Sequence, residues 1–130
     1  MPAVPITGLY AALCALLVLA LAGAVIRLRW RTKAGIGDGG DRRLARAIRV
    51  HANAVEYVPL ALVLLLVAEL DHAGPALLHG CGVALVVARV AHAIGLSRTA
   101  GASPGRMLGT VGTFGVVIVL AAVDVAAYLR

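Results

Sequence analysis

The chain has 130 residues, 62% hydrophobic and 14% charged, with a net charge of +6 and a mean hydropathy of +0.97. A soluble domain carries roughly 25% charged residues, and a chain this short cannot hide so much apolar surface in one core. A soluble globular monomer and a disordered chain are therefore both excluded. A membrane protein remains, with room for about four spanning helices of roughly 20 residues each and no second domain.

The pI near 10.4 points first to nucleic acid. The distribution of charge argues against it: eight of the 12 basic residues lie between Arg27 and Arg49, between two apolar segments. That is the pattern of a cytoplasmic loop under the positive-inside rule, so no nucleic-acid partner is expected. Cys14 and Cys81 sit in apolar runs and read as small buried hydrophobes. The expected domain is one transmembrane unit over residues 1–130.

The first span, about residues 4–30, follows an uncharged stretch from Met1 to Ile26. A signal peptide would need a basic segment before the apolar run. Here the arginines come after it, with Trp30 as an interfacial anchor. The N-terminus is then outside, as is the C-terminus, and the first and third loops are cytoplasmic. Residues 35–41, GIGDGGD, form a turn-rich connector. Gly35, Gly37 and Gly40 match G-x-G-x-x-G, but no strand precedes them, so a dinucleotide site is not expected.

The second span covers about residues 42–70, with Pro59 expected to kink it. The third covers about 75–96 and the fourth about 106–129. Gly109, Gly112 and Gly115 in the fourth suggest close helix packing. The fold class is all-α, an integral-membrane four-helix bundle.

Ionisable groups inside a membrane are costly and point to function. The second span holds Arg46, Arg49, His51, Asn53 and Glu56, followed by Tyr57. At about 100° per residue, Arg46, Arg49, Asn53 and Glu56 share an arc of about 80°, and His51 points the other way. The third span adds Arg89 and His92 on one face, with His79 near the opposite membrane surface. Pairing across helices for assembly alone is the competing role for these charges. Haem held by His51 and His92 is a rival without a supporting histidine spacing, and no metal site is expected. Asp124 reads as a packing partner. A small multidrug exporter would need a carboxylate in its first span, and this one has none.

Guanidiniums hold carboxylates, and a carboxylate holds an amino group. The complementary ligand is a small zwitterion with more than one carboxylate, and glutathione fits. A nearby cation lowers the pKa of its thiol and favours the thiolate. The second substrate is an apolar small molecule arriving from the lipid side.

The segment RAIRVHANAVEYVPL (Arg46 to Leu60) resembles the signature of the MAPEG superfamily, the membrane-associated proteins of eicosanoid and glutathione metabolism. The spacing of Arg49, His51, Asn53 and Glu56 is similar to that in its prostaglandin E synthase members. Asn53, Glu56, Tyr57 and Pro59 are similar to its leukotriene C synthase members. RVAH (Arg89 to His92) resembles the prostaglandin enzymes again, as do Pro104 and Arg106, with one extra residue in the loop. The chain most resembles the small bacterial branch of the family.

The resemblance implies a homotrimer in the inner membrane, with glutathione bound between subunits as cosubstrate of a transferase or peroxidase. Arg49, Asn53, Glu56, Tyr57, Arg89 and His92 would hold glutathione, and Arg106 would face its thiol. His51 and Arg29 would reach the site from a neighbouring subunit. Leu96 stands where the eicosanoid enzymes carry a tyrosine. The superfamily also contains a non-enzymatic scaffold, so a lipid- or glutathione-binding protein without turnover is the alternative.

Overall fold

A computed structural model describes residues 4–99 and 101–130. The expected domain starts at residue 1; residues 1–3 and 100 lie outside the described residues. The described residues form four helices: α1 (Pro5–Thr32), α2 (Arg42–Leu70), α3 (Pro75–Arg98) and α4 (Pro104–Tyr128). All four are long and apolar enough to cross a membrane.

Local chemistry sets the helix ends. Proline opens α1, α3 and α4, where its missing N–H costs nothing. α2 starts instead on Asp41, whose Oδ1 accepts the amides of Arg43 at 2.7 Å and Leu44 at 3.0 Å. α1 stops at Lys33, which is left-handed (φ 54°). Loop 1 then needs positive φ at Gly37, Gly39 and Gly40, a conformation glycine takes without a side-chain clash. α4 begins two residues earlier than the charge pattern suggests, because Ser103 caps it by accepting the Arg106 amide at 3.2 Å. α1 and α3 each run two residues past the expected ends, at Thr32 and Arg98. α2 is one continuous helix through Pro59, which faces outward.

α2 and α3 form the centre of the bundle. Each packs on α1 and on α4, while α1 and α4 do not touch among the described residues. The main core gathers Tyr10, Cys14, Ala61, Leu65, Leu78, Leu85 and Leu120 at the loop-2 end. A smaller cluster of Val50, Ala93 and Leu96 lies toward loops 1 and 3. Outward residues such as Leu16, Leu19 and Ile118 are two-thirds exposed and apolar, the surface that lipid covers.

Close approach of α3 and α4 rests on Gly109, where an added Cβ would meet His92 and lie 2.5 Å from the Ala88 carbonyl. At Gly112 it would meet the Ala88 Cβ at 3.0 Å. Gly115 faces open space. Each step of three residues turns the helix about 60° short of a full turn, so Gly115 has rotated out of the contact that Gly109 makes.

Candidate functional site

The polar residues of α2 divide between the inside and the outside of the bundle. Asp41 anchors the first turn. Its carboxyl is held below the ordinary aspartate range by the Leu44 and Arg43 amides, with Arg43 and Arg46 adding to the effect. Two turns on, Arg49 Nη1 meets Glu56 Oε1 at 3.3 Å. These side chains remain 60% and 48% exposed, so a charged pair lies on the outer face of the bundle, well inside the span.

Asn53 turns inward. Its Oδ1 accepts from Arg89 Nη2 at 2.6 Å. Arg89 Nη1 donates to Thr113 Oγ1 at 3.2 Å, and the Thr113 hydroxyl donates to the Gly109 carbonyl at 2.7 Å. A chain of hydrogen bonds therefore ties α4 through α3 to α2. Arg89 is 2% exposed and Thr113 is fully buried. No carboxylate pairs with Arg89 among the described residues. A guanidinium only donates, so the Asn53 carbonyl must face Arg89 and its NH2 must face away.

His92 sits one turn beyond Arg89, buried, with Nδ1 unpartnered; Arg89 Nε is unpartnered too. Arg89, Arg106 and Arg49 are all near enough to act electrostatically on His92. Guanidiniums from α2, α3 and α4 thus all lie within electrostatic reach of one imidazole. The Tyr57 ring packs on Phe114 at 5.4 Å and is near enough to act electrostatically on Arg89. Arg106, in the first turn of α4, lines an open groove of about 440 Å³ with Ser103, Met107 and Thr110.

The structure therefore gathers Arg49, Asn53, Glu56, Tyr57, Arg89, His92 and Arg106 around the α2–α3–α4 junction. Two expected residues lie elsewhere. Arg29 Nη1 donates to the carbonyls of Ala34, Gly35 and Gly37 at 3.1, 3.2 and 2.9 Å, stapling loop 1 to the end of α1. His51 is half-buried on another side of α2 from Asn53.

Three partnerships escaped the sequence. Thr113 is one; an uncharged threonine in an apolar run carries no signal of its own. Glu69 is another: its Oε1 accepts the Ile6 amide at 2.9 Å and its Oε2 the Thr7 amide at 2.7 Å, capping α1 from the far end of α2. The third is Tyr10, whose hydroxyl bonds His79 Nδ1 at 2.9 Å over Gly82, where an added Cβ would run into the ring. The missing cap at Val4 was the available signal for Glu69.

The sequence pattern of the MAPEG family matches residues 7–125. Inner membrane protein YecN of Escherichia coli (strain K12) is 43% identical to this chain over 90 residues, which are 69% of each protein. The protein of that name in Escherichia coli O6:H1 (strain CFT073) matches to the same extent. With four membrane-length helices and a family match across nearly the whole chain, this is a membrane protein that belongs to the MAPEG family.

Proposed function

We propose that this chain binds glutathione and joins it, through its thiol sulfur, to apolar electrophiles. The carrying observation is that Arg89 Nε and His92 Nδ1, one turn apart on α3, are both buried and unpartnered among the described residues, with Arg49 and Arg106 within electrostatic reach of His92. A buried polar group without a partner is costly, and an anionic ligand relieves that cost. Glutathione fits the donor set. Arg49 and Glu56 hold each other in the free chain; a ligand carrying both a carboxylate and an ammonium replaces that pair with two new ones. Asn53, with its carbonyl turned to Arg89, presents its N–H donors on the other side and suits a carboxylate or peptide carbonyl.

Arg106 sits beside the thiol in this reading and stabilises the thiolate. The thiol proton leaves to solvent. The sulfur then bonds to the electrophilic carbon while the leaving group departs with its electron pair. The same thiolate reduces a hydroperoxide to an alcohol and water when a second glutathione completes the disulfide.

A charged pair facing lipid deep in a span is expensive. In this reading the exposed Arg49–Glu56 face is covered by another copy of the chain, in the homotrimer that the family resemblance implies, with His51 and Arg29 reaching the site from the neighbouring copy. The relative's name and the basic first loop support the inner membrane, with both termini outside and loops 1 and 3 cytoplasmic. One observation favours binding without turnover: Leu96 is buried against Val50 and Ala93 and gives the pocket no hydroxyl.

A glutathione titration of the purified protein, with and without an aryl halide, tests both readings. The transferase reading expects thermal stabilisation, a thiolate absorbance and product. In Arg106→Ala, stabilisation survives while the other two signals fall on the order of a hundredfold. Product that survives Arg106→Ala removes Arg106 from its role. Stabilisation without product in the wild type selects the binding protein.

A further inference from the structure

One cleft, beside α1, belongs to none of this chemistry. At the loop-1 end, Arg43 and Arg46 overhang a hollow of about 320 Å³ floored by Ala24, Leu28 and Ala47, with Ser97 at its edge. A second hollow of about 430 Å³ continues from Ser97 between α1 and α3, walled by Leu17, Leu21, Val90, Ala93 and Ile94. Ser97 and Arg98 close it toward the basic end.

The two hollows form one cleft with a charged head and an apolar tail. Leu17, Leu21, Ala24 and Leu28 recur at steps of four, three and four and so line one face of α1. They span about 16 Å of helix, which matches the roughly 15 Å of hydrocarbon in one leaflet of a bilayer about 30 Å thick. Neither Arg43 nor Arg46 forms an ion pair among the described residues. The nearby Asp41 carboxylate already takes the Arg43 and Leu44 amides. The Ser97 hydroxyl donates to the Ala93 carbonyl at 2.6 Å. The head of the cleft is thus a pair of guanidiniums outside any ion pair among the described residues, above an apolar floor.

We propose that this cleft is a binding site for one anionic glycerophospholipid, its phosphate on Arg43 and Arg46 and one acyl chain along Leu28, Ala24, Leu21 and Leu17. Charge complementarity selects the headgroup, and the length of the apolar face selects the chain. A zwitterionic lipid fits the tail but meets the guanidiniums with an ammonium of its own. A free phosphate ester fits the head but leaves the apolar face empty.

Native mass spectrometry of the full chain, released from detergent after titration with phosphatidylglycerol or phosphatidylcholine of identical acyl chains, tests this. The wild type should retain one phosphatidylglycerol per chain in preference to phosphatidylcholine, and glycerol 3-phosphate should not displace it. Each guanidinium removed should cost roughly fivefold, so Arg43→Ala/Arg46→Ala loses the preference while Arg43→Lys/Arg46→Lys keeps most of it. Ala24→Phe, which fills the tail with both charges intact, should also lose the lipid. Arg27→Gln/Lys33→Gln removes as much charge outside the cleft and should leave binding unchanged. Equal loss in that control reduces the effect to diffuse charge and overturns the proposal. So does displacement by glycerol 3-phosphate. A drop in oligomer mass with Ala24→Phe and no lipid in the wild type makes the cleft a subunit contact, and overturns it too.

Discussion

Asn53 accepts a 2.6 Å hydrogen bond from the buried guanidinium of Arg89, and that bond decides which end of the Asn53 amide is offered to a ligand. Arg89 is itself aimed by Thr113, a residue that needs no contact with the ligand to matter. Thr113→Val leaves a buried guanidinium N–H without a partner, at a cost of about 1–3 kcal/mol. Glutathione affinity should fall about tenfold as Asn53 loses its fixed orientation. Thr113→Ser keeps the hydroxyl and should behave as wild type. Thermal melts and calorimetric titration of the three proteins decide it; equal affinity in Thr113→Val breaks the link.

Arg89 also separates stability from binding. It is buried with no carboxylate partner among the described residues, a placement that costs the fold more than an apolar side chain of similar volume would. Arg89→Met should therefore keep or raise the melting temperature while lowering glutathione affinity at least tenfold, since a charge-assisted contact is lost. A variant that melts lower yet binds normally would contradict both expectations.

Gly109 and Gly115 lie six residues apart on α4 and should respond oppositely to alanine. A methyl at Gly109 collides with His92 and the Ala88 carbonyl, so α3 and α4 must part, at about 1–3 kcal/mol. A methyl at Gly115 meets nothing and should stabilise by about 0.5–1 kcal/mol through lower backbone entropy in the unfolded chain. Paired melts of the two variants in the same detergent give the comparison.

The start of α2 should loosen in acid. Asp41 has a folded-state pKa below its ordinary value, so its contribution is complete above the ordinary aspartate pKa. It is lost as pH falls through the lower folded value, when the protonated carboxyl releases the Arg43 and Leu44 amides. Hydrogen exchange at those two amides should quicken over that acidic window. Asp41→Asn, which caps without titrating, should flatten the response, and a pH dependence that survives it points to another group.

Glu69 holds α1 from 62 residues away. Glu69→Ala removes both acceptors at the α1 N-terminus and should cost about 1 kcal/mol, the usual value of a helix cap. The loss should appear as faster amide exchange at Ile6 and Thr7 and not at the start of α2.

The amino-acid sequence by itself determined the four spans, their approximate ends and the polar stripe of α2. Those features are local: a run of apolar residues long enough to cross a bilayer, a proline or aspartate at a helix start, and a rotation of about 100° per residue. The same rotation grouped Arg46, Arg49, Asn53 and Glu56 but could not say that Asn53 turns inward while Arg49 and Glu56 stay outside. That depends on which face α3 and α4 occupy. Tertiary packing alone joined Asn53 to Arg89 and Thr113, diverted Arg29 to the carbonyls of loop 1, and put Glu69 under the start of α1. A helix fixes the direction of each side chain about its own axis; only the neighbour's register along that axis decides which donor meets which acceptor.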